Sequence, residues 1–169
     1  MKLRRDAVFS ADGNYRYRLS RHWREGPEAT FIMLNPSTAD AEVDDPTIRR
    51  CMGFARLWGM GGLYVGNLFA YRATRPTEMK KASDPIGPDN FDHLQWMCER
   101  AKTKGGLVLC AWGRHGRFRN QDRALLHSCF ANWQIQAKAL LINRDGTTRH
   151  PLYVPAEVTP VDFRGPIVA

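Results

Sequence analysis

Short apolar runs alternate with longer segments in which apolar residues recur at every third or fourth position, and this alternation constrains the fold more than any other feature of the sequence. Such runs are typical of strands buried on both faces, and strands separated by helices usually form a parallel sheet covered by helices on both sides. The runs that predict strands are 30–34, 63–65, 107–111 and 138–142. We therefore expect a single three-layer α/β/α domain over residues 1–169, with a short, mainly parallel central sheet.

The segments around these strands predict the remaining elements. Residues 1–26 predict an N-terminal β-hairpin, because Asp12-Gly13 is a turn signal and the arm after it alternates aromatic or apolar residues with basic ones. Asp45 followed by Pro46 predicts the start of a helix, with Asp45 as the N-cap and Pro46 in the first helical position. The other predicted segments are helices over 89–103 and 117–130 and a tail without a clear element over 156–169.

The chain is strongly basic, which bears on its partner. It has 25 Lys and Arg against 17 Asp and Glu, a formal net charge of +8 and a pI near 9.7. An excess of positive charge favours a polyanionic partner, and DNA or a nucleotide is the partner that we expect.

Other features argue against several classes of protein. The four cysteines form no C-x-x-C pair, so we expect no zinc or iron–sulfur site and no cofactor. No apolar run approaches the ~20 residues of a membrane span, and the basic first residues are followed by no apolar core. We therefore expect a cytoplasmic protein without a signal peptide or a membrane partner.

Polar residues follow the predicted strands at their carboxyl ends, where ligands bind in open α/β sheets. Asn35 is held extended by Pro36 and can orient a water or a sugar hydroxyl, although Asn-Pro-Ser-Thr is also good turn chemistry. The amide of Asn67 matches the edge of a pyrimidine or an amide, unless it only caps a loop. His150, locked by Pro151, can donate to a developing negative charge or be an ordinary surface histidine. The further residues expected to contact the substrate are Pro36, Ser37, Thr38, Trp112 and Arg149, and we expect Asn35, Asn67, Trp112 and His150 to converge on one cleft.

An acidic loop lies beside Asn35 and supplies the candidate carboxylate. Asp40 is the carboxylate that we expect to help activate water, although the acids of residues 40–45 can also solvate the loop and charge a helix N-terminus. They match those roles better than a preformed cation cage, so we expect no bound metal. The candidate phosphate contacts are Arg72, Arg75, Arg114, Arg117 and Arg119.

Five sequence blocks carry a family resemblance. MLNPSTAD, DDPTIRRC, GNLFAYRAT, AWG and RHPLY occur in this order at 33–40, 44–51, 66–74, 111–113 and 149–153. Together they resemble the bacterial and phage domain-of-unknown-function family numbered sixteen forty-three, over roughly residues 10–155.

More distantly, the same blocks resemble the uracil-DNA glycosylase superfamily. Asn35 before Pro36 is similar to the motif whose Asn positions the attacking water, and Asn67 at a strand end is similar to the Asn that reads the base. Trp112-Gly113 resembles the end of a late strand, and His150 before a proline resembles the final motif whose His donates to the leaving base. The resemblance implies a glycosylase-like fold and these three roles.

This sequence also departs from the superfamily pattern. Met33 stands where that superfamily usually has Gly, and Leu152 stands where its last motif has Ser. The expected function is a glycosylase-like enzyme that hydrolyses an N-glycosidic bond of a (modified) base in DNA or a nucleotide. The alternatives are a nucleotide- or nucleobase-binding protein without catalysis, and a scaffold of the same fold that binds nucleic acid through its basic face.

Overall fold

Seven strands form one sheet in the computed structural model, which describes residues 1–165. The strands are β1 (Arg4–Phe9), β2 (Arg16–His22), β3 (Glu28–Met33), β4 (Gly62–Asn67), β5 (Leu107–Cys110), β6 (Ala137–Ala139) and β7 (Val161–Asp162). Their spatial order is β1-β2-β4-β3-β5-β6-β7.

The α/β class is confirmed, but the expected mainly parallel sheet is not, because the sheet is mixed. The four central strands β4, β3, β5 and β6 are parallel. The pairs β1-β2, β2-β4 and β6-β7 are antiparallel, so half of the pairings between the described strands are antiparallel. As a consequence, the first residue of β2 lies at the sheet edge where the parallel strands have their carboxyl ends.

The helices are α1 (Pro46–Leu57), α2 (Pro76–Lys81), α3 (Asn90–Thr103), α4 (Gln121–Arg123) and α5 (Ala131–Trp133). A π-helical stretch over Ala124–Phe130 joins α4 to α5, and tight 3-10 turns cover Arg114–Asn120 and Pro151–Tyr153. α1 begins as expected: the Asp45 carboxylate accepts a hydrogen bond from the Ile48 N–H at 2.9 Å, and Pro46 occupies the first turn. The N-cap fixes where this helix starts and therefore how its first turn faces the sheet edge.

Helices cover both faces of the sheet because successive side chains of a strand point to opposite faces. Phe31 on β3 packs in one apolar cluster with Ile48 and Phe54 of α1. Its neighbour Ile32 packs in a second cluster with Leu94 of α3. The two apolar layers hold the strand ends in fixed positions at the sheet edge.

The structure also corrects the predictions for one helix and for the tail. The helix predicted over 117–130 begins only at Gln121, because Arg119 and Asn120 adopt left-handed backbone with φ of 53° and 54°. The tail predicted over 156–169 contains β7, which pairs antiparallel with β6, and its last four residues lie outside the described residues. β7 therefore adds an antiparallel edge strand that the sequence pattern did not indicate.

The hairpin predicted over 1–26 is confirmed as the antiparallel pair β1-β2. Its connection is longer than the two-residue turn that Asp12-Gly13 predicts, because the Ser10 N–H donates to the Tyr15 carbonyl at 2.9 Å. The hairpin places β2 beside β4, on the side opposite β3.

Candidate functional site

A cavity of about 670 Å³ lies at the sheet edge formed by the carboxyl ends of the parallel strands. This volume is in the range of about 300–1,000 Å³ that small-molecule sites occupy. Residues that follow β3, β4, β5 and β6 all contribute to its wall. The residues expected from the sequence that line it are Asn35, Ser37, Asn67, Trp112, Arg114, Arg149 and His150.

Asn67 has a side chain with an unsatisfied amide. The residue is 1 % exposed, yet neither its Nδ2 nor its Oδ1 has a hydrogen-bond partner among residues 1–165. Its backbone is fixed, since the Asn67 carbonyl accepts a hydrogen bond from Asn90 Nδ2 at 2.9 Å. Buried polar groups are nearly always bonded, and each unmade bond costs about 1–3 kcal/mol. A ligand with one donor and one acceptor on the same edge would satisfy both groups.

Asn35 is oriented by the loop after β4. Its Nδ2 donates to the Ala73 carbonyl at 2.8 Å and, at 3.3 Å, to the Pro36 carbonyl. The Pro36 carbonyl also accepts from the Ala73 N–H at 3.1 Å, so the two loops are tied together. Because Nδ2 is engaged with protein, Oδ1 is the Asn35 atom left to accept a hydrogen bond from a water or a hydroxyl.

His150 is held in one tautomer. Its Nδ1 accepts a hydrogen bond from the Leu152 N–H at 3.2 Å, so the proton of the neutral ring is on Nε2. Burial lowers the pKa of His150, and this effect outweighs the opposing effect of Asp45. The ring is therefore neutral at pH 7 and can donate one hydrogen bond through Nε2.

Trp112 forms part of the cavity wall. It is 2 % exposed and packs edge-on against Phe163, with ring centroids 6.1 Å apart. Gly116 lies against it so closely that a Cβ at that position would meet Trp112 Cδ1 at 2.1 Å. Arg149 is also fixed, since its Nε donates to Asn143 Oδ1 at 3.1 Å.

Two charged residues of the cavity were missed by the sequence reasoning. Arg16 at the start of β2 is 3 % exposed, and its Nη1 donates to the Ala39 carbonyl at 2.7 Å. Asp45 was interpreted only as an N-cap; it is one, and it also lines the cavity. Its charge raises the pKa of both Arg16 and His150, although burial has the larger, opposite effect on each.

Three of the expected contact residues do not line the cavity: Pro36, Thr38 and Asp40. The carboxylate of Asp40 accepts the N–H groups of Val43 and Glu42, both at 2.8 Å, and these bonds lower its pKa. Asp40 therefore stabilises its own loop, and the carboxylate in the cavity is Asp45.

Arginines of the hairpin and of α1 neutralise the acidic loop. Arg21 is fully buried, and its Nε lies 2.7 Å from the Asp44 carboxylate, which Arg5 also contacts at 3.0 Å. Arg49 donates to the Asp44 carbonyl at 2.6 Å. Within residues 1–165, no group of three or more His, Cys, Asp and Glu side chains is arranged to hold a metal ion.

The five arginines expected to contact phosphate are all exposed, and we call them the surface arginines: Arg72, Arg75, Arg114, Arg117 and Arg119. Only Arg114 lines the cavity. Arg114 and Arg117 both lie within 4.0 Å of the Asp145 carboxylate, which partly balances their charge. The positive charge at the cavity is therefore less than the sequence alone indicates.

A family model described as "Protein of unknown function (DUF1643)" matches residues 16–152. This chain belongs to the DUF1643 family. The match runs from Arg16 to Leu152, so among the cavity residues only Tyr153 lies beyond the DUF1643 region. No curated protein and no solved structure matches the chain. No helix in the described part of this DUF1643 member is both long and apolar enough to cross a membrane.

Proposed function

We propose that the protein is a glycosylase-like enzyme that hydrolyses the N-glycosidic bond between a sugar and a (modified) base, in DNA or in a nucleotide. The observation that carries the proposal is the unsatisfied amide of Asn67 at the wall of the same cavity as His150. A nucleobase edge carries adjacent donors and acceptors, which is the pattern that a free carboxamide recognises.

His150 supports the cleavage step. When an N-glycosidic bond breaks, the base leaves with negative charge, and a donor already in place stabilises that charge without reorganisation. The bond from the Leu152 N–H to Nδ1 reserves the Nε2 proton for this purpose, and burial lowers the pKa of His150 so that the ring is neutral beforehand. A neutral donor binds the anionic base of the transition state more strongly than the neutral base of the substrate, and only such a difference in binding accelerates the reaction.

Asn35 and Asp45 support the addition of water. Asn35 keeps Oδ1 for a water because its Nδ2 is bonded to the Ala73 carbonyl. One oxygen of Asp45 caps α1 through the Ile48 N–H, and the other can accept a proton from that water. In this role Asp45 replaces Asp40, whose carboxylate is occupied by its own loop.

Where the base belongs to a polymer, two exposed apolar side chains next to His150 can contact the opened helix. Leu152 is 44 % exposed and Tyr153 is 74 % exposed. Enzymes that act on a base in DNA rotate it out of the stack, and apolar side chains inserted between base steps stabilise the opened helix. The surface arginines can contact the phosphates around such a site.

The test is release of free base, followed by chromatography and mass spectrometry. Oligonucleotides containing deaminated, alkylated or oxidised bases, single- and double-stranded, are incubated with the protein beside the matching mononucleotides. We expect at least one of these substrates to release its base, and His127→Ala, which changes an exposed histidine outside the cavity, to retain the activity. If every substrate stays intact, the glycosylase proposal fails, and binding of a nucleotide without turnover becomes the supported alternative.

A further inference from the structure

Arg16 is a buried cation without a carboxylate partner. It is 3 % exposed and lines the cavity, yet no Asp or Glu oxygen among residues 1–165 lies within 4.0 Å of its guanidinium. One of its N–H groups donates to the Ala39 carbonyl at 2.7 Å, while its Nε is buried with no hydrogen-bond partner. Buried charges are normally paired, so an unpaired one at a cavity wall indicates a missing anion.

Arg21, on the same strand but outside the cavity, is a buried arginine that the fold pairs with a carboxylate. It is fully buried, and its Nε is paired with the Asp44 carboxylate at 2.7 Å. Arg16 has no such direct partner, because Asp45, which lines the same cavity and raises the pKa of Arg16, forms no ion pair with it within 4.0 Å. Burial lowers the pKa of Arg16 to about 10, so the guanidinium still carries its charge at neutral pH.

The charges around the cavity also favour an anion. Its lining includes three arginines, Arg16, Arg114 and Arg149, against one carboxylate, Asp45. The amino end of α1 is already capped by the Asp45 carboxylate, so the excess positive charge at the cavity comes from the arginines.

We propose that Arg16 binds the phosphate group of a free nucleotide that enters the cavity whole, so that the ligand is a nucleoside monophosphate. The inference rests on the proposed function only in that Asn67 recognises the base of the same ligand. The phosphodiester backbone of DNA stays at the protein surface, whereas Arg16 is almost completely covered. The anion that pairs with Arg16 must therefore be carried in by the ligand itself.

The test compares the affinities of nucleosides and of their 5′-monophosphates, measured by isothermal titration calorimetry. Wild-type protein should bind at least one monophosphate about 10- to 100-fold more tightly than its nucleoside, the factor that one or two charge-assisted hydrogen bonds supply. In Arg16→Met the ratio should fall below about threefold, and Arg16→Lys should give an intermediate ratio because it keeps the charge. Arg18→Met is the matched control, since Arg18 lies on the same strand, stacks 4.1 Å from the Trp96 ring and is outside the cavity.

A second measurement needs only wild-type protein, in case Arg16→Met does not fold. Inorganic phosphate should compete with the monophosphate and leave nucleoside affinity unchanged. Equal affinity for nucleoside and monophosphate, or a ratio unchanged in folded Arg16→Met, would overturn the proposal. A preference for a nucleoside with a carboxylate on its base would also overturn it, since the anion would then be on the base.

The two proposals can fail separately. If bases are released from oligonucleotides while no monophosphate shows a preference that depends on Arg16, the glycosylase activity stands and the phosphate subsite does not. If a monophosphate binds through Arg16 and no base is ever released, the subsite stands and the hydrolysis does not.

Discussion

Replacing Asn67 with leucine should make the protein more stable while removing ligand binding. Leucine has nearly the shape of asparagine, and Asn67 is 1 % exposed with both polar atoms of its amide unbonded. Each unbonded group costs about 1–3 kcal/mol in the folded state, and the buried leucine adds apolar burial. The two unbonded groups at about 1 kcal/mol each, together with the added apolar burial and less some loss from imperfect packing, give an expected rise of about 1–3 kcal/mol in the free energy of unfolding of Asn67→Leu.

The assay is urea denaturation followed by tryptophan fluorescence, together with thermal melting. For a chain of this size, a gain of about 1–3 kcal/mol corresponds to a rise in Tm of roughly 2–12 °C. The denaturant slope should not change, because the surface exposed on unfolding is the same.

Asn90→Leu is the matched control. Asn90 is also completely buried and its Oδ1 is unbonded, but its Nδ2 donates to the carbonyls of Asn67 and Leu68 at 2.9 and 3.2 Å. Its loss leaves two buried carbonyls without that donor and should lower the free energy of unfolding by about 2 kcal/mol or more. If Asn67→Leu destabilises the protein as Asn90→Leu does, the Asn67 amide has a structural role and the argument for a base-reading residue is refuted.

Three further predictions concern acid stability, glycine positions and salt. Burial raises the pKa of Glu28, but His22, whose Nε2 lies 3.3 Å from the carboxylate, and Arg100, which donates two hydrogen bonds to it, outweigh burial and lower the pKa to about 2. The stability from this carboxylate is present above pH 4.5 and lost as the pH falls toward 2, so Glu28→Gln should flatten the acid limb of a plot of unfolding free energy against pH. Gly53 is an exposed helix position with open space at its Cβ, so Gly53→Ala should raise the free energy of unfolding by about 0.5–1 kcal/mol. Gly116→Ala should lower it by about 1–3 kcal/mol, because the new Cβ displaces the Trp112 indole ring of the cavity wall. Urea denaturation measures both changes. Any DNA binding through the surface arginines should weaken with salt at a logarithmic slope of roughly −0.9 per phosphate contacted, and a flat response in fluorescence anisotropy would contradict their role.

Ligands bind at the carboxyl ends of the strands in open α/β sheets, and this rule was sufficient to find much of the cavity from the sequence. Asn67 is the last residue of β4, Asn35 and Trp112 come shortly after β3 and β5, and His150 follows the turn after β6. Loops at the carboxyl ends of parallel strands meet at one edge whatever their side chains are, so four residues far apart in sequence line one cavity.

The same rule did not predict Arg16, because Arg16 lies at the beginning of a strand. β2 is antiparallel to β4, so its amino end shares the edge with the carboxyl ends of the others. Strand direction depends on how distant segments pair, and the hydrophobic pattern of one strand carries no information about it.

The choice between Asp40 and Asp45 depends on side-chain direction, which the sequence also does not give. Both belong to the same acidic loop, and both accept hydrogen bonds from backbone N–H groups. Of the two, Asp45 lines the cavity, whereas the Asp40 carboxylate is bonded to the Glu42 and Val43 N–H groups of its own loop. The left-handed backbone of Arg119 and Asn120 could not be predicted from the sequence either, since non-glycine residues rarely adopt that conformation.

The most direct test of the central claim is the single-turnover rate of base release by His150→Ala, on whichever substrate the wild-type protein cleaves. We predict a rate lower by about 10²–10³ with substrate affinity within threefold of wild type, because His150 Nε2 acts on charge that exists only in the transition state. The Tm should fall by only about 1–8 °C, because the variant loses the bond from the Leu152 N–H to His150 Nδ1. A variant that releases base as fast as wild type would contradict the account. A variant that loses rate only in proportion to the fraction unfolded would contradict it equally, since His150 would then be a structural residue.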